Sequence, residues 1–244
     1  HTVSIEFYRG EPLFASEIGG ISKLYEILPL IIVGILSGLV ASVYMRGLTG
    51  FLPIPKKIPT YLLPIIAGVI CGIIGLFVPE VLGLGSETIQ SLLEENRPIT
   101  YLTILLFTKL FLTVLCIRLN LFGGIFSPAL FIGTTLGCIL AVIFQTFIPN
   151  ANTALFAVAG MAAVTGSVIG GPIFTMMIIF ELTSDYQVAL GAGISICFAN
   201  LVSSKIYGHS VFDQLLLNRK IDIQLGRDSL QLQSINIGSI VSHD

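Results

Sequence analysis

Uncharged apolar stretches, separated by charges, prolines and glycines, set the organisation of the chain. Ile27–Met45 is 19 residues without a charge and ends at Arg46, and Ile58–Pro79 is 22. A bilayer crossing takes ~20 apolar residues, so the pattern predicts two full membrane helices there. Ile99–Arg118 is entered through Arg97-Pro98, with Pro near the first helical position, and predicts a third span that carries Lys109 on an apolar face. From Leu119 to Phe180 there follow 62 residues with no Asp, Glu, Lys, Arg or His. Gly123-Gly124, Pro128, Pro149-Asn150, Gly166 and Gly170-Gly171-Pro172 interrupt this stretch. It therefore predicts pieces of roughly 15 residues rather than one rod. Helices of that length enter only part of a bilayer and need protein or a wet cavity around their ends, an arrangement that suggests transport. Tyr186–Ser204 is a further uncharged span, and Ser210–Asn218 a short amphipathic segment closed by Arg219-Lys220. Ile221–Asp244 is polar, either a cytoplasmic linker or the start of another domain.

Composition sharpens the class. Of 244 residues, 54% are hydrophobic and only 11% charged, against roughly 45–50% apolar and 25% charged in soluble proteins. The chain reads as an all-α, polytopic integral membrane protein with tilted, short and broken helices. Twelve Lys and Arg against 14 Asp and Glu leave a net charge of −2, which removes any electrostatic case for nucleic acid as a partner. The four cysteines lie inside apolar runs and read as packing residues, without a disulfide or zinc pattern. The opening segment His1–Gly20 has no secretory leader pattern, so the sequence is read as beginning mid-protein or anchored later. Arg46, Lys56 and Lys57 cluster in one loop, and Lys205, Arg219, Lys220 and Arg227 near the end. The retention of basic residues on the cytoplasmic side places both clusters, and the C-terminus, inside, in an inner or plasma membrane of bacterial type.

The segment Gly123-Gly124-Ile125-Phe126-Ser127-Pro128 is the most informative. Two glycines allow close backbone approach, a Ser and a Pro then open a helix, and the first-turn amides have no intrahelical partner. Such an end carries about half a positive charge and binds an anion without a buried Lys or Arg. The same residues would also make a plain Gly-Pro kink between packed helices, and spacing alone does not choose.

The segment resembles the G-x-F-x-P motif of the CLC chloride channels and chloride/proton antiporters. The resemblance continues in order through Ala159-Gly160-Met161-Ala162-Ala163, Gly171-Pro172-Ile173-Phe174-Thr175, Phe180–Tyr186 and Ser210–Leu216. It implies that residues 1–220 are the C-terminal half of a CLC membrane domain, one repeat of an inverted-repeat fold. It further implies chloride transport, by a voltage-gated-type channel or an antiporter, along a path completed by the N-terminal half of the same protein. No cofactor is implied, chloride being the substrate. Gly83-Leu84-Gly85-Ser86-Glu87 looks like this half's first glycine-rich motif and Gly124–Pro128 its second. The anion would be held at Gly124, Ile125 and Phe126, the last two through their backbone amides. Phe212 falls where many members carry a tyrosine whose hydroxyl donates to the anion. A homodimer is implied through Pro172–Ser184 and Gln187–Lys205, with Gly191, Ala192, Gly193 and Ser195 allowing close packing. The tail 221–244 resembles a connector to CBS domains.

Other polar residues have plainer readings. Glu181 reads as a helix-end carboxylate near the interface, Lys109 as a snorkelling lysine, His209 as a loop histidine, and Glu94-Glu95 and Lys56-Lys57 as solvated charges. No H-E-x-x-H or G-x-S-x-G with partners is present, so an enzyme is not expected. The alternative is an unrelated inverted-repeat transporter for a small solute.

Overall fold

The computed structural model describes residues 27–51, 59–95, 97–121, 123–148, 152–208 and 210–218. The tail 221–244, His209, Lys56, Lys57, Arg219, Lys220 and Arg227 lie outside the described residues. The described residues form helices and turns and no strand. In chain order the helices are α1 (Ile27–Arg46), α2 (Leu63–Phe77), α3 (Ser86–Glu94), α4 (Ile99–Arg118), α5 (Phe126–Gln145), α6 (Thr153–Ile169), α7 (Pro172–Thr183), α8 (Tyr186–Ile206) and α9 (Val211–Asn218).

Four segments, around α1, α4, α5 and α8, are long and apolar enough to cross a membrane, whereas α2, α6 and α7 are shorter. Three expectations need correction. The stretch Ile58–Pro79 does not yield a full span: α2 has 15 residues, about 22 Å of helix against a hydrocarbon core of about 30 Å. Pro64 stands at its first turn, and the chain leaves helical geometry at Val78, before Pro79. Gly166, expected to interrupt, sits inside an unbroken α6. Of the expected short pieces, α6 and α7 have 17 and 12 residues, but α5 has 20 and is long and apolar enough to span.

The core is built around α6, in which every residue from Ala154 to Val168 is buried. A helix apolar on all sides is stable only when surrounded, and α1, α5, α7 and α8 surround it. The α5–α6 crossing is backbone on backbone. A Cβ at Gly133 would strike the Gly160 carbonyl, and one at Gly137 the Phe156 carbonyl. Among hydrocarbon chains there is little hydrophobic drive between helices, so such close van der Waals contact is what holds them together. α1 and α8 run side by side, tied by Ser195 Oγ donating to the Leu30 carbonyl at 2.7 Å and by Arg46 Nη2 donating to the Ile206 carbonyl at 2.8 Å.

Helix ends are capped locally. Asn152 Oδ1 accepts from the amides of Ala154 and Leu155, and Asp185 Oδ1 from those of Gln187 and Val188. α9 opens with a reciprocal box: Ser210 Oγ accepts from Asp213 N at 3.2 Å, and Asp213 Oδ2 accepts from Ser210 N at 3.2 Å. All four cysteines are free thiols, with Cys138 buried and Cys197 exposed.

Candidate functional site

The N-terminus of α5, like those of α2, α3, α4 and α7 and unlike those of α6, α8 and α9, has no side-chain cap. Its N-cap is Ile125, with φ −94° and ψ −17°, a residue with no side-chain acceptor for the first amides. Gly123 and Gly124 before it are exposed, and Ile125 to Pro128 are partly open. The amides at Ile125 and Phe126 are therefore offered to whatever lies beyond the helix end, with the dipole behind them.

Two hydroxyls orient this end. Tyr44, fully buried on α1, points its hydroxyl at the Ile125 carbonyl, 3.4 Å away. That carbonyl and the Phe126 N–H belong to one trans peptide, in which C=O and N–H point in opposite directions. The carbonyl also accepts the Ala129 N–H at 3.3 Å, so it runs along the helix and the Phe126 N–H points out of the α5 end. Ser127 Oγ, one residue on, donates to the Leu84 carbonyl at 2.7 Å. Leu84 belongs to the other glycine motif, where Gly83 and Gly85 take left-handed φ of +65° and +75°. Gly85 is the N-cap of α3, again without a side-chain cap. The two motifs are thus brought together, Ser127 touching the loop between the glycines.

Lys109 does not snorkel. It is 3% exposed and donates to the carbonyls of Val81 at 2.8 Å and Gly83 at 2.9 Å, with its ammonium 4.9 Å from the centre of the Phe131 ring. Position 109 is midway along α4, within the stripe Leu102, Leu105, Leu106, Lys109, Leu112 that faces inward. The non-helical stretch after Val81 leaves carbonyls without helical partners, and the ammonium takes two of them. A cavity of about 340 Å³ lies beside it, lined by Lys109, Gly83, Cys116, Gly124, Ser127 and Pro128 among others, with no carboxylate in its wall.

Phe212 stands in the first turn of α9, 47% exposed. α9 packs on the Gly47–Phe51 turn, which continues α1 one turn beyond Tyr44. That turn is held by Tyr207, whose hydroxyl is 2.9 Å from Thr49 Oγ1, and by Arg118, whose Nη1 reaches toward the Thr49 carbonyl at 3.5 Å. Glu181 is exposed in the last turn of α7, and Glu94 and Glu95 are exposed, Glu95 paired with Arg97 at 2.6 Å. Of the small residues expected at a subunit contact, Gly191, Ala192 and Ser195 are buried inside the bundle, and Gly193 is half-buried. Tyr44 and Ser127 carry no sequence signal of their role. Their partners are 81 and 43 residues away, and a tyrosine in an apolar run looks like packing.

Four helices long and apolar enough to cross a bilayer, with shorter apolar helices packed among them, are the make-up of a polytopic membrane protein. The chain belongs to the voltage gated chloride channel family, whose profile matches residues 1–204. It is 32% identical over 153 residues to the H(+)/Cl(−) exchange transporter ClcA of Salmonella paratyphi A, covering 61% of this chain and 32% of that one. It is 29% identical over 167 residues to ClcA of Vibrio cholerae serotype O1, covering 68% and 36%. The fold matches a slow cyanobacterial Cl−/H+ antiporter with a TM-score of 0.79 at 24% identity, over 90% of this chain and 53% of that chain. A eukaryotic CLC transporter matches with a TM-score of 0.61 at 22% identity, over 82% and 36%. The chain spans about a third of the length of the curated relatives it matches. The family assignment sets aside the alternative of an unrelated inverted-repeat transporter.

Proposed function

We propose that this chain supplies one half of a chloride pathway, with the anion held by the backbone amides of Ile125 and Phe126 where Gly124 leaves room for it, and with Phe212 flanking it on the cytoplasmic side. The N-terminal half of the same protein completes the path, and the C-terminus is cytoplasmic. The observation that supports this reading best is the uncapped α5 terminus beside a cavity lined by Lys109 and no acid. Backbone amides and a helix dipole stabilise a halide without a full charge in direct contact, the Lys109 ammonium in the cavity wall being turned to the Val81 and Gly83 carbonyls. The reading rests also on relatives named as chloride/proton exchangers. Anomalous scattering from bromide-soaked crystals of the complete protein tests it. Density is expected beside the amides of Ile125 and Phe126, and its absence there overturns the site.

A homodimer is the second part of the proposal, on the outer face of α7 and α8. Ile173, Phe174, Met177, Phe180, Tyr186 and Leu190 are all exposed there. Lipid and a second copy both suit such a face, and the resemblance of these helices to the family's subunit contact favours the copy. Cysteines placed at Ile173 and Met177 of the complete protein in membranes should cross-link into a dimer, and monomer bands at both positions would count against it.

A further inference from the structure

A buried ammonium whose partners are neutral needs a reason. Removing a charge from water costs several kcal/mol after relaxation, and two carbonyls and a ring face offset only part of that. What Lys109 does with its bonds is to pin a loop. Val81 and Gly83, its acceptors at 2.8 and 2.9 Å, bracket the entry to a segment that then turns left-handed twice. On its other side the same segment accepts the Ser127 hydroxyl at Leu84, 2.7 Å away. The third contact of the ammonium, the Phe131 ring, lies on α5 itself and fills the space beside Gly85, where a Cβ would come within 2.5 Å of the ring. Lys109 thus touches both things that meet at the site, the glycine loop and α5.

We infer that Lys109 is a positioning residue for the anion site: by clamping Val81–Gly83 it holds Leu84 against Ser127, and so fixes the direction of the first amides of α5. This rests on the reading of Ile125 and Phe126 as anion donors. The clamp works through geometry, so its donors matter more than its charge. Replacement by arginine keeps several donors, by glutamine two, and by methionine none.

The test uses the complete protein in detergent with two readouts, hydrogen exchange of the amides and calorimetric chloride titration. In Lys109→Met, exchange should rise at Gly83–Ser86 and at Ile125–Ser127 while α6 stays protected, and chloride should bind roughly ten-fold more weakly, the order expected when a charged hydrogen bond is lost. Lys109→Arg should restore both. Ser127→Ala should weaken binding in the parent but have no further effect in Lys109→Met, since the two act through one loop. If Lys109→Met does not fold, Lys109→Gln, which keeps two donors, should hold exchange at Gly83–Ser86 and chloride binding near the parent's, and binding lost with that loop still protected overturns the proposal. Unchanged exchange at Ile125–Ser127, or effects of the two substitutions that simply add, overturns the proposal. A parent protein that binds no chloride sinks the anion reading instead, and the exchange pattern still decides whether Lys109 holds the loop.

Discussion

At the scale of the residue, the proposed site depends on a few side chains that contact main-chain groups. The Tyr44 hydroxyl, at 3.4 Å from the Ile125 carbonyl, makes a long bond, so its removal should be felt weakly. Tyr44→Phe should lower chloride affinity about two- to three-fold, the equivalent of ~0.5 kcal/mol. Calorimetric titration checks this, and a change above ten-fold would mean that Tyr44 acts otherwise. Phe212→Tyr should act in the opposite sense. If Phe212 flanks the anion as proposed, an added hydroxyl donates to a charged acceptor and affinity should rise roughly ten-fold. Equal or weaker binding in the tyrosine variant would show that the ring does not face the anion. Lys109 teaches how far a single sequence reaches at this scale. An isolated lysine in an apolar helix reads as one that snorkels. What decides its position is a pair of carbonyls 28 and 26 residues upstream, freed by the break after Pro79–Val81, and no local pattern announces them.

At the scale of the element, the ends of helices were legible where chemistry marks them and illegible where glycine serves packing instead. Gly170-Gly171-Pro172 does separate α6 from α7, with Gly170 at φ +77°. Gly166 has the same letter and no such role. A Cβ there would lie 3.2 Å from Ile196 Cγ2, a tight but yielding side-chain contact. The two uses of glycine should separate in experiment. Gly166→Ala should be tolerated, losing no more than about 1 kcal/mol, since alanine's better helix propensity offsets part of the crowding. Gly137→Ala should lower the melting temperature of the complete protein far more, because the Phe156 carbonyl it would strike is backbone and cannot rotate away. Equal melting temperatures for the two variants would contradict the backbone-on-backbone crossing. The length of α2 was misread for a related reason: an uncharged run counts apolar residues but not the prolines that cut it. The helix start at Gly124 to Pro128 was legible, and its end is uncapped, whereas the hydroxyls that contact it come from α1 and from within its own first turn.

At the scale of the whole molecule, the chain is an assembly with an open side. The cavity beside Lys109 and the exposed glycines at 123 and 124 present main-chain polar groups, which in hydrocarbon cost several kcal/mol each. Residues 1–244 alone should therefore conduct no chloride in liposomes, and robust flux from them would show that no facing half is required. The ends of α1, α4 and α8 carry Arg46, Arg118 and Lys205, and hydrogen bonds draw the first two to the Ile206 and Thr49 carbonyls. A basic rim thus gathers on the side proposed as cytoplasmic. One property of the α5 terminus reaches further than its geometry. Its proposed donors are peptide N–H groups, which neither gain nor lose a proton in any condition a cell can reach, and which among single substitutions only one to proline deletes. The amides' own share of halide binding should then be flat with pH, and an exchanger built on them must take its proton sensitivity from side chains.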